Sequence, residues 1–306
     1  MTTAREIKRR IRSVKNIAQV TRALEAVSAS KVRRAQAQAL ATRPYTTKAW
    51  QLLVHLAAQP ALDEALHPLL TVREEVRHIG IILITSDRGL CGAFNYNVLN
   101  KTVSFIKQRQ RPSHLVAVGR RGRDLMWRWG YNIIAEFSNL PGQPGILDVR
   151  PIARVAIDAF LSEEVDEVYL AYTDFVNMLI RRPVIRRLLP LRPTRAGAET
   201  AAEYVEARET APVTEYIYEP SPQMILETVL PRFTELQVYH AVLESLASEH
   251  AARMIAMRNA TENAQELVGD LILSYNKARQ QAITREILDI AGGAEALQQM
   301  MSEMRV

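Results

Sequence analysis

The sequence predicts an α/β protein in which long N- and C-terminal helices form an antiparallel coiled coil and an α/β domain is inserted between them. Three observations predict it. Apolar residues recur every three or four positions at both ends of the chain, short β-branched runs alternate with helical segments in the middle, and the two ends carry opposite net charge. Of the 306 residues, 48% are hydrophobic, which is enough for a packed core and excludes a disordered chain.

The first predicted element is a long helix within residues 1–60. Thr3 and Glu6 have the spacing of a capping box, in which each side chain bonds a free N–H of the first turn. Because Pro44 is the only early helix breaker, we expect the helix to continue, with a bend, to about Ala58. Its predicted apolar stripe consists of Ile7, Ile11, Val14, Ile17, Thr21, Leu24 and Val27.

A second long helix is predicted within residues 221–300. Pro222 can occupy a first helical turn, and the paired glycines Gly292 and Gly293 favour an end there. Its predicted apolar positions are Leu236, Tyr239, Leu243, Leu246, Met254, Met257, Leu267, Leu271 and Tyr275. Residues 1–50 contain twelve Lys/Arg against two Asp/Glu, whereas residues 221–306 contain seven against eleven. We therefore expect these helices to pair antiparallel.

Residues 75–215 are predicted to form the inserted, Rossmann-like domain. Strands are predicted over 79–85, 115–118, 132–137 and 167–173, and helices over 96–109, 123–128 and 152–162. Strands that alternate with helices indicate a small parallel sheet. Residues 177–191 are predicted to add a strand or hairpin at its edge, and residues 192–214 to form an exposed loop.

Motifs for chemistry are absent from the sequence. It contains neither a P-loop nor a G-x-G-x-x-G motif, and its histidines and single cysteine lack metal-ligand spacing, so we expect no cofactor and no metal. Segment 119–124 (GRRGRD) is either a weak phosphate site or an ordinary strand-to-helix turn. The longest apolar run, 79–84, is too short to cross a bilayer, so any membrane role is expected to be peripheral.

Two features leave alternatives open. Segment 85–95 contains Ser86, Asp87, Arg88, Gly89, Cys91 and Gly92 just past a buried strand. It is either a structural crossover or a contact loop at the carboxyl end of the sheet. The basic first helix is a solvated face, a nucleic-acid arm or a partner for an acidic protein surface; the third is favoured because guanidinium groups match carboxylates.

Several segments closely resemble the gamma subunit of F-type ATP synthases. They are 7–17 (IKRRIRSVKNI), 20–24 (VTRAL), 29–33 (ASKVR), 85–95 (TSDRGLCGAFN), 248–254 (SEHAARM) and 276–287 (NKARQQAITREI). They keep the family's order and span almost the whole chain. The resemblance agrees with the helix, domain and helix order predicted from the residues.

The resemblance implies a rotating central stalk without a catalytic site of its own. In that family the coiled coil lies inside the hexamer of alpha and beta subunits, and the α/β domain contacts the epsilon subunit and the ring of c subunits. Rotation couples proton flow to ATP synthesis or hydrolysis. The implied location is peripheral, on the cytoplasmic face of a bacterial plasma membrane, since no extension precedes the first matching segment.

Residue roles are implied position by position. Arg279, Gln280 and Thr284 match the residues that bond a loop of the beta subunits, called the catch, and Arg33 and Arg34 match those that face the acidic helix-turn-helix of beta. Tyr216, Tyr218 and Glu219 match the foot near the c ring and epsilon. Residues 85–95 match the central signature. The alternatives are a basic coiled-coil adaptor that binds nucleic acid and a stand-alone α/β enzyme, which lacks a convergent acid, base or nucleophile.

Overall fold

The computed structural model describes residues 3–57, 67–191 and 222–303. They form two compact units, Met1–Val27 with Ile255–Val306, and Ser28–Met254. The predicted loop 192–214 and the predicted foot residues Tyr216, Tyr218 and Glu219 lie outside the described residues. The division into 1–60, 75–215 and 221–300 stays a prediction.

The described chain contains five α-helices, five strands and a short 3-10 helix. The helices are α1 (Ala4–Ala57), α2 (Phe94–Arg109), α3 (Arg120–Arg128), α4 (Ile146–Leu161) and α5 (Pro222–Glu303), and the 3-10 helix is Pro68–Leu70. The strands are β1 (Ile79–Ile84), β2 (Ser113–Val118), β3 (Asn132–Phe137), β4 (Glu167–Phe175) and β5 (Arg181–Leu189). The α/β class predicted from the sequence is confirmed.

The five strands form one sheet in the order β3-β2-β1-β4-β5. Strands β1, β2, β3 and β4 run parallel, and β5 pairs antiparallel with β4 as the edge strand. Strand β1 lies in the centre, and all six of its residues are buried. A buried central strand with β-branched residues on both faces is typical of a parallel sheet covered by helices.

Helices cover both faces of this sheet. The connections from β1 to β2 and from β2 to β3 step in one direction, so α2 and α3 lie on the same face, whereas α4 returns to β4 across the other face. The core under α2 and α3 includes Ile81, Val98, Leu99, Leu115 and Met126. The core under α4 also contains residues of α5, among them Leu230, Phe233, Val242 and Leu243. The sheet domain is therefore built directly onto the C-terminal helix.

Part of α1 also belongs to this second unit. Val32 and Ala35 are buried, and the Gln38 side chain donates hydrogen bonds to the Tyr239 hydroxyl (2.9 Å) and to the Pro144 carbonyl (2.8 Å). These contacts join α1, α5 and the loop before α4 within one packed unit.

In the first unit α1 and α5 pair antiparallel. The Thr21 and Thr261 hydroxyls lie 2.7 Å apart, and the Arg258 guanidinium bonds the Glu25 carboxylate at 3.0 Å, so a later position on α1 meets an earlier one on α5. The better-buried positions keep steps of three and four on both helices, and they are Ile7, Ile11, Val14, Ala18 and Thr21 on α1, and Met257, Thr261, Ala264, Val268, Leu271, Tyr275 and Ala278 on α5. This is coiled-coil spacing.

For three residues of the predicted apolar positions, the prediction that they face the partner helix was wrong. Ile17, Val27 and Leu267 are about half exposed, with 53%, 52% and 47% of their surface accessible. On α1 and α5 the less exposed neighbours Ala18 and Val268 face inward instead. Apolar residues occur at adjacent positions in these segments, so periodicity alone does not decide which one faces the partner helix.

Two predicted helix ends also differ from the structure. Helix α5 continues through Gly292 and Gly293 to Glu303, because glycine costs only about 1 kcal/mol in a helix and good helix formers follow it. Helix α4 begins at Ile146 and not near Ile152, since the Asp148 carboxylate accepts a hydrogen bond from the Gly145 N–H at 2.7 Å and starts the helix there.

Candidate functional site

The central signature follows β1 and caps helix α3. The Thr85 hydroxyl accepts the Gly122 N–H (2.9 Å), the Ser86 carbonyl accepts the Arg121 N–H (3.1 Å), and the Asp87 carboxylate accepts the Arg120 N–H (3.1 Å). A helix normally leaves these first-turn donors free. Here they are occupied by the chain's own residues, so the weak phosphate site considered for segment 119–124 is wrong, and that segment is a structural turn.

The same loop is held from within by a polar network. Asn95 accepts the Ser86 N–H at 2.9 Å through its side-chain oxygen and donates its amide to the Ser86 hydroxyl (2.7 Å) and the Cys91 sulfur (3.3 Å). Leu90 and Gly92 adopt left-handed conformations, with φ of 63° and 58°. Cys91 is buried and packs with Phe94 and Ala252. This cysteine is a packing and hydrogen-bonding residue of the loop.

An ion pair on α5 anchors the loop to that helix. The Arg253 guanidinium bonds the Glu249 carboxylate at 2.7 Å, and it also donates to the Gly89 carbonyl at 3.3 Å. Both side chains are largely buried, with about 14% of each exposed. We name Asp87, Arg88, Gly89, Glu249 and Arg253 the joint, because they connect the carboxyl end of the sheet to α5.

Burial dominates the electrostatics of the joint. It raises the pKa of the Glu249 carboxyl, while the charge and hydrogen bond of Arg253 act in the opposite direction. His250, the next residue, has its pKa lowered to about 4 by burial and by the positive charges of Arg253 and Lys31. At neutral pH His250 is therefore a neutral imidazole beside the Glu249–Arg253 pair of the joint.

The joint offers geometry for a mechanical connection and none for catalysis. The buried Glu249 carboxylate is paired with Arg253, and the sulfur of Cys91 in the adjoining loop is bonded by the Asn95 amide, so no nucleophile and base face a common space there. Among the residues that the structure describes, no cluster of three or more His, Cys, Asp or Glu side chains has the arrangement of a metal site. Within the same ranges, every helix is too short or too polar to span a bilayer.

The predicted partner-binding residues lie apart from the joint in sequence. Arg279, Gln280 and Thr284 are exposed on α5 within the first unit, and Gln280 and Thr284 share one helix face because they are one turn apart. Arg33 and Arg34 are exposed on α1 within the second unit. The structure thus leaves both sets accessible to a partner, and it does not test their roles.

Sequence reasoning assigned no role to Glu249 and Arg253, although both fall in a recognised segment. Their spacing of four residues was a visible signal, but such pairs are usually solvated on a helix surface. Asn95 also falls in a recognised segment and had no predicted role. Its importance depends on the fold, which brings its amide to Ser86 and Cys91.

Comparison with known proteins assigns the family. Residues 3–297 match the family model described as ATP synthase. The chain is 50% identical over 297 residues to the ATP synthase gamma chain of Dehalococcoides mccartyi strain CBDB1, which covers 97% of this chain and all of that protein. It is 48% identical over 303 residues to the ATP synthase gamma chain of Roseiflexus castenholzii, with 98% and 100% covered.

Solved structures share the fold. The rotor of Euglena gracilis mitochondrial ATP synthase matches with a TM-score of 0.60 and 19% identity, over 92% of this chain and 98% of that one. The OSCP/F1/c-ring structure of the same enzyme matches with a TM-score of 0.65 and 19% identity, over 96% and 94%. None of these comparisons supports the nucleic-acid adaptor. With a family match over nearly its full length and relatives half identical to it, this chain belongs to the ATP synthase gamma chain family.

Proposed function

We propose that this chain is the rotating central stalk of an ATP synthase and couples ion flow through a c ring to ATP synthesis or hydrolysis at an alpha–beta hexamer. The observation that carries the proposal is the family match over residues 3–297. The chain performs no chemistry itself. As a rigid body it stabilises different conformations of its partners in turn, which is how binding energy shifts a conformational equilibrium.

The paired helices of the first unit support this role. Bulky apolar side chains are left without cover in the isolated chain, among them Ile17, Val20 and Val27 on the outer side of α1, and Ile283, Ile287 and Ile290 on α5 past its last partly buried position, Ala278. Exposed apolar residues in such number mark a protein-binding surface. We propose that the alpha–beta hexamer covers them.

The charged and polar residues predicted from the family are assigned to the same partners. Arg279, Gln280 and Thr284 are proposed to bond the catch loop of beta, and Arg33 and Arg34 to pair with its acidic helix-turn-helix. Exposed guanidinium groups suit carboxylate partners because they form two parallel hydrogen bonds. Tyr216, Tyr218 and Glu219 are proposed as the foot that contacts the c ring and epsilon.

The joint is proposed to transmit torque from the sheet domain to the helix. It fixes the carboxyl end of β1 to α5 through a buried ion pair and a backbone contact, so rotation of the domain carries the helix with it. Buried side chains packed at crystal-like density transmit strain with little deformation. The subunit is peripheral, and we place it at the cytoplasmic face of a bacterial plasma membrane.

Co-expression with the alpha and beta subunits of the same genome tests the proposal. The complex is purified through a tag on beta, and its stoichiometry and ATPase rate are measured. We expect one copy of this chain per hexamer, and loss of multi-site ATPase when residues 1–35 and 270–306 are deleted. A chain that never joins the hexamer, or joins without any effect on turnover, would refute the central-stalk assignment.

Point substitutions test the catch assignment more sharply. The triple change Arg279→Ala, Gln280→Ala and Thr284→Ala is expected to lower ATPase turnover about tenfold, the effect of about 1.4 kcal/mol of lost differential stabilisation. The matched control is Gln281→Ala with Arg285→Ala, which removes similar exposed side chains from another face of the same helix. Equal losses in both variants would show that the catch residues have no special role.

A further inference from the structure

A second exposed surface lies at the edge of the sheet where the parallel strands begin. The joint lies at the opposite edge, where they end. Helices α2 and α3 run antiparallel to the strands that they connect, so both end where the strands begin. The end of α2 is fixed there because the Ile79 N–H bonds the Pro112 carbonyl at 3.0 Å. Strand β3 pairs with β2 from Asn132 and His114 onward, so the end of α3 lies beside the same edge.

This edge carries two exposed tryptophans. Trp127 is 75% exposed and Trp129 is 45% exposed. Trp129 is the C-cap residue that follows α3, and Gly130 comes next in a left-handed conformation with φ of 81°. Tryptophan is highly buried on average in soluble proteins, so two exposed neighbours at a helix end indicate a surface with a ligand or partner.

Basic side chains lie at the same edge as the tryptophans. Of the seven Lys/Arg in residues 107–131, four stand at the ends of α2 and α3, namely Lys107, Arg109, Arg111 and Arg128, whereas the other three lie in the first turn of α3 at the opposite edge. Lys107, Arg111 and Arg128 are exposed, and no ion pair of theirs is found within the described ranges. Arg109 differs, since its guanidinium turns inward to bond the Tyr169 hydroxyl at 2.6 Å. We name Lys107, Arg111, Trp127, Arg128 and Trp129 the basic tryptophan edge.

We propose that the basic tryptophan edge binds the anionic headgroups of a lipid bilayer. Unpaired ammonium and guanidinium groups complement phosphate, and indole rings place their apolar body and N–H group at the boundary between headgroups and acyl chains. Two apolar side chains are too few for the centre of a stable protein interface, which buries about 800 Å² on each partner. A membrane surface needs only a few cations and interfacial aromatic residues.

The test measures tryptophan fluorescence of the full-length chain with vesicles. The chain contains three tryptophans, so a Trp50→Phe background leaves only Trp127 and Trp129 as emitters. Vesicles of neutral phosphatidylcholine are compared with vesicles in which anionic phosphatidylglycerol replaces a third of the lipid. We expect a blue shift, and quenching by lipids brominated near the headgroup, with the anionic vesicles only.

Substitutions assign the binding to this edge. Arg111→Gln and Arg128→Gln are each expected to reduce vesicle partitioning about fivefold, the value of one cation near an anionic surface. Trp127→Ser with Trp129→Ser, followed by vesicle co-sedimentation, is also expected to reduce binding. The controls are Leu179→Ser, an exposed leucine in the turn between β4 and β5, and Lys8→Gln with Arg12→Gln on the basic first helix. These are expected to bind as the unchanged chain does.

The proposal would be overturned by absence of vesicle binding, by binding without tryptophan quenching, or by binding that falls equally in the Lys8 and Arg12 control. An emission shift with an oligo-glutamate peptide but not with vesicles would assign the edge to an acidic protein and also overturn it. The assay needs no alpha or beta subunit, so its failure leaves the central-stalk test unaffected.

Discussion

Gly119 follows the last residue of β2 and lies against Thr85, which follows the last residue of β1. Its φ is +94°, and a Cβ atom there would lie 2.3 Å from the Thr85 carbonyl oxygen. Any side chain would therefore push apart two neighbouring strands and the cap of α3. We expect Gly119→Ala to destabilise the protein by more than about 3 kcal/mol, since it adds a backbone clash to left-handed strain. Urea unfolding followed by ellipticity measures the change.

Gly130 supplies the matched control for this substitution. It also has positive φ, at +81°, but nothing lies within 4 Å of the Cβ position. Gly130→Ala should therefore cost only the left-handed strain of about 1 to 2 kcal/mol. Similar losses for the two variants would mean that the close approach of β1 and β2 contributes nothing at Gly119.

The ion pair of the joint gives a second prediction at the scale of residues. Arg253→Ala removes the partner of a largely buried Glu249 carboxylate and a donor to the Gly89 carbonyl. We expect a loss of about 3 kcal/mol in the free energy of unfolding, because an unpaired buried charge is costly. Arg253→Met with Glu249→Met should cost less than the sum of the single changes, since no charge is then left alone.

The control for Arg253 is Arg258→Ala. Arg258 also pairs with a glutamate, Glu25, but its side chain is 60% exposed. Exposed pairs contribute about 0 to 1 kcal/mol because water competes and the side chains lose freedom. If the two arginine variants lose equal stability, burial of the joint is not the source of its strength.

At the scale of elements, the two helices of the coiled coil meet at a polar contact between Thr21 on α1 and Thr261 on α5. The two hydroxyls lie 2.7 Å apart, and they also lie within hydrogen-bond distance of the Ala18 and Met257 carbonyls. Two hydroxyl protons serve three contacts, so one contact lacks a donor. Replacing both threonines with valine keeps their shape and removes the buried polar atoms.

We therefore expect Thr21→Val with Thr261→Val to leave the coil equally stable or more stable, whereas Thr21→Val alone should cost about 1 kcal/mol. Thermal unfolding of the full-length chain compares the three proteins. A double variant less stable than the single one would show that the hydroxyl pair is needed for the packing of the coil.

The elements of this fold were largely predictable because their signals are local. Residues 79–84 are apolar and β-branched, and they form the buried central strand β1. The long helices were predictable from the spacing of their apolar residues, and their pairing was predictable from their opposite net charges. The prediction that Ile17 faces the partner helix was wrong because Ile17 and Ala18 are adjacent and both apolar. Which of the two faces inward depends on the packing of the partner helix.

The joint was less predictable because its partners are distant in sequence. Arg253 meets the carbonyl of Gly89, which lies 164 positions earlier. The residue types at 85–95 indicated a structured loop, but not that Asp87 caps α3 or that Asn95 bonds Cys91. The resemblance to the family identified the segments that form the joint. The contacts that their residues make with one another are seen only in the structure.

At the scale of the whole molecule, stability is expected to fall as the pH drops below neutral. His250 has its pKa lowered to about 4 in the folded chain, first by burial and then by Arg253 and Lys31, whereas a histidine in the unfolded chain titrates near its ordinary value of 6.5. Between these values the unfolded chain binds more protons than the folded one. The histidine's contribution is therefore complete above pH 6.5 and is lost as the pH falls toward 4.

The pKa difference corresponds to about 3 kcal/mol between pH 7 and pH 4. Glu249 acts in the opposite direction, because its raised pKa favours the folded state as that carboxyl is protonated. Comparison with the His250→Gln variant separates the two effects, since both proteins retain Glu249. Urea unfolding at pH 7, 5.5 and 4 should give a smaller decline for the variant, whatever its stability at pH 7. Parallel declines in the two proteins would mean that His250 is protonated as easily in the folded chain as in the unfolded one, and that the packing around it tolerates a third positive charge beside Arg253 and Lys31.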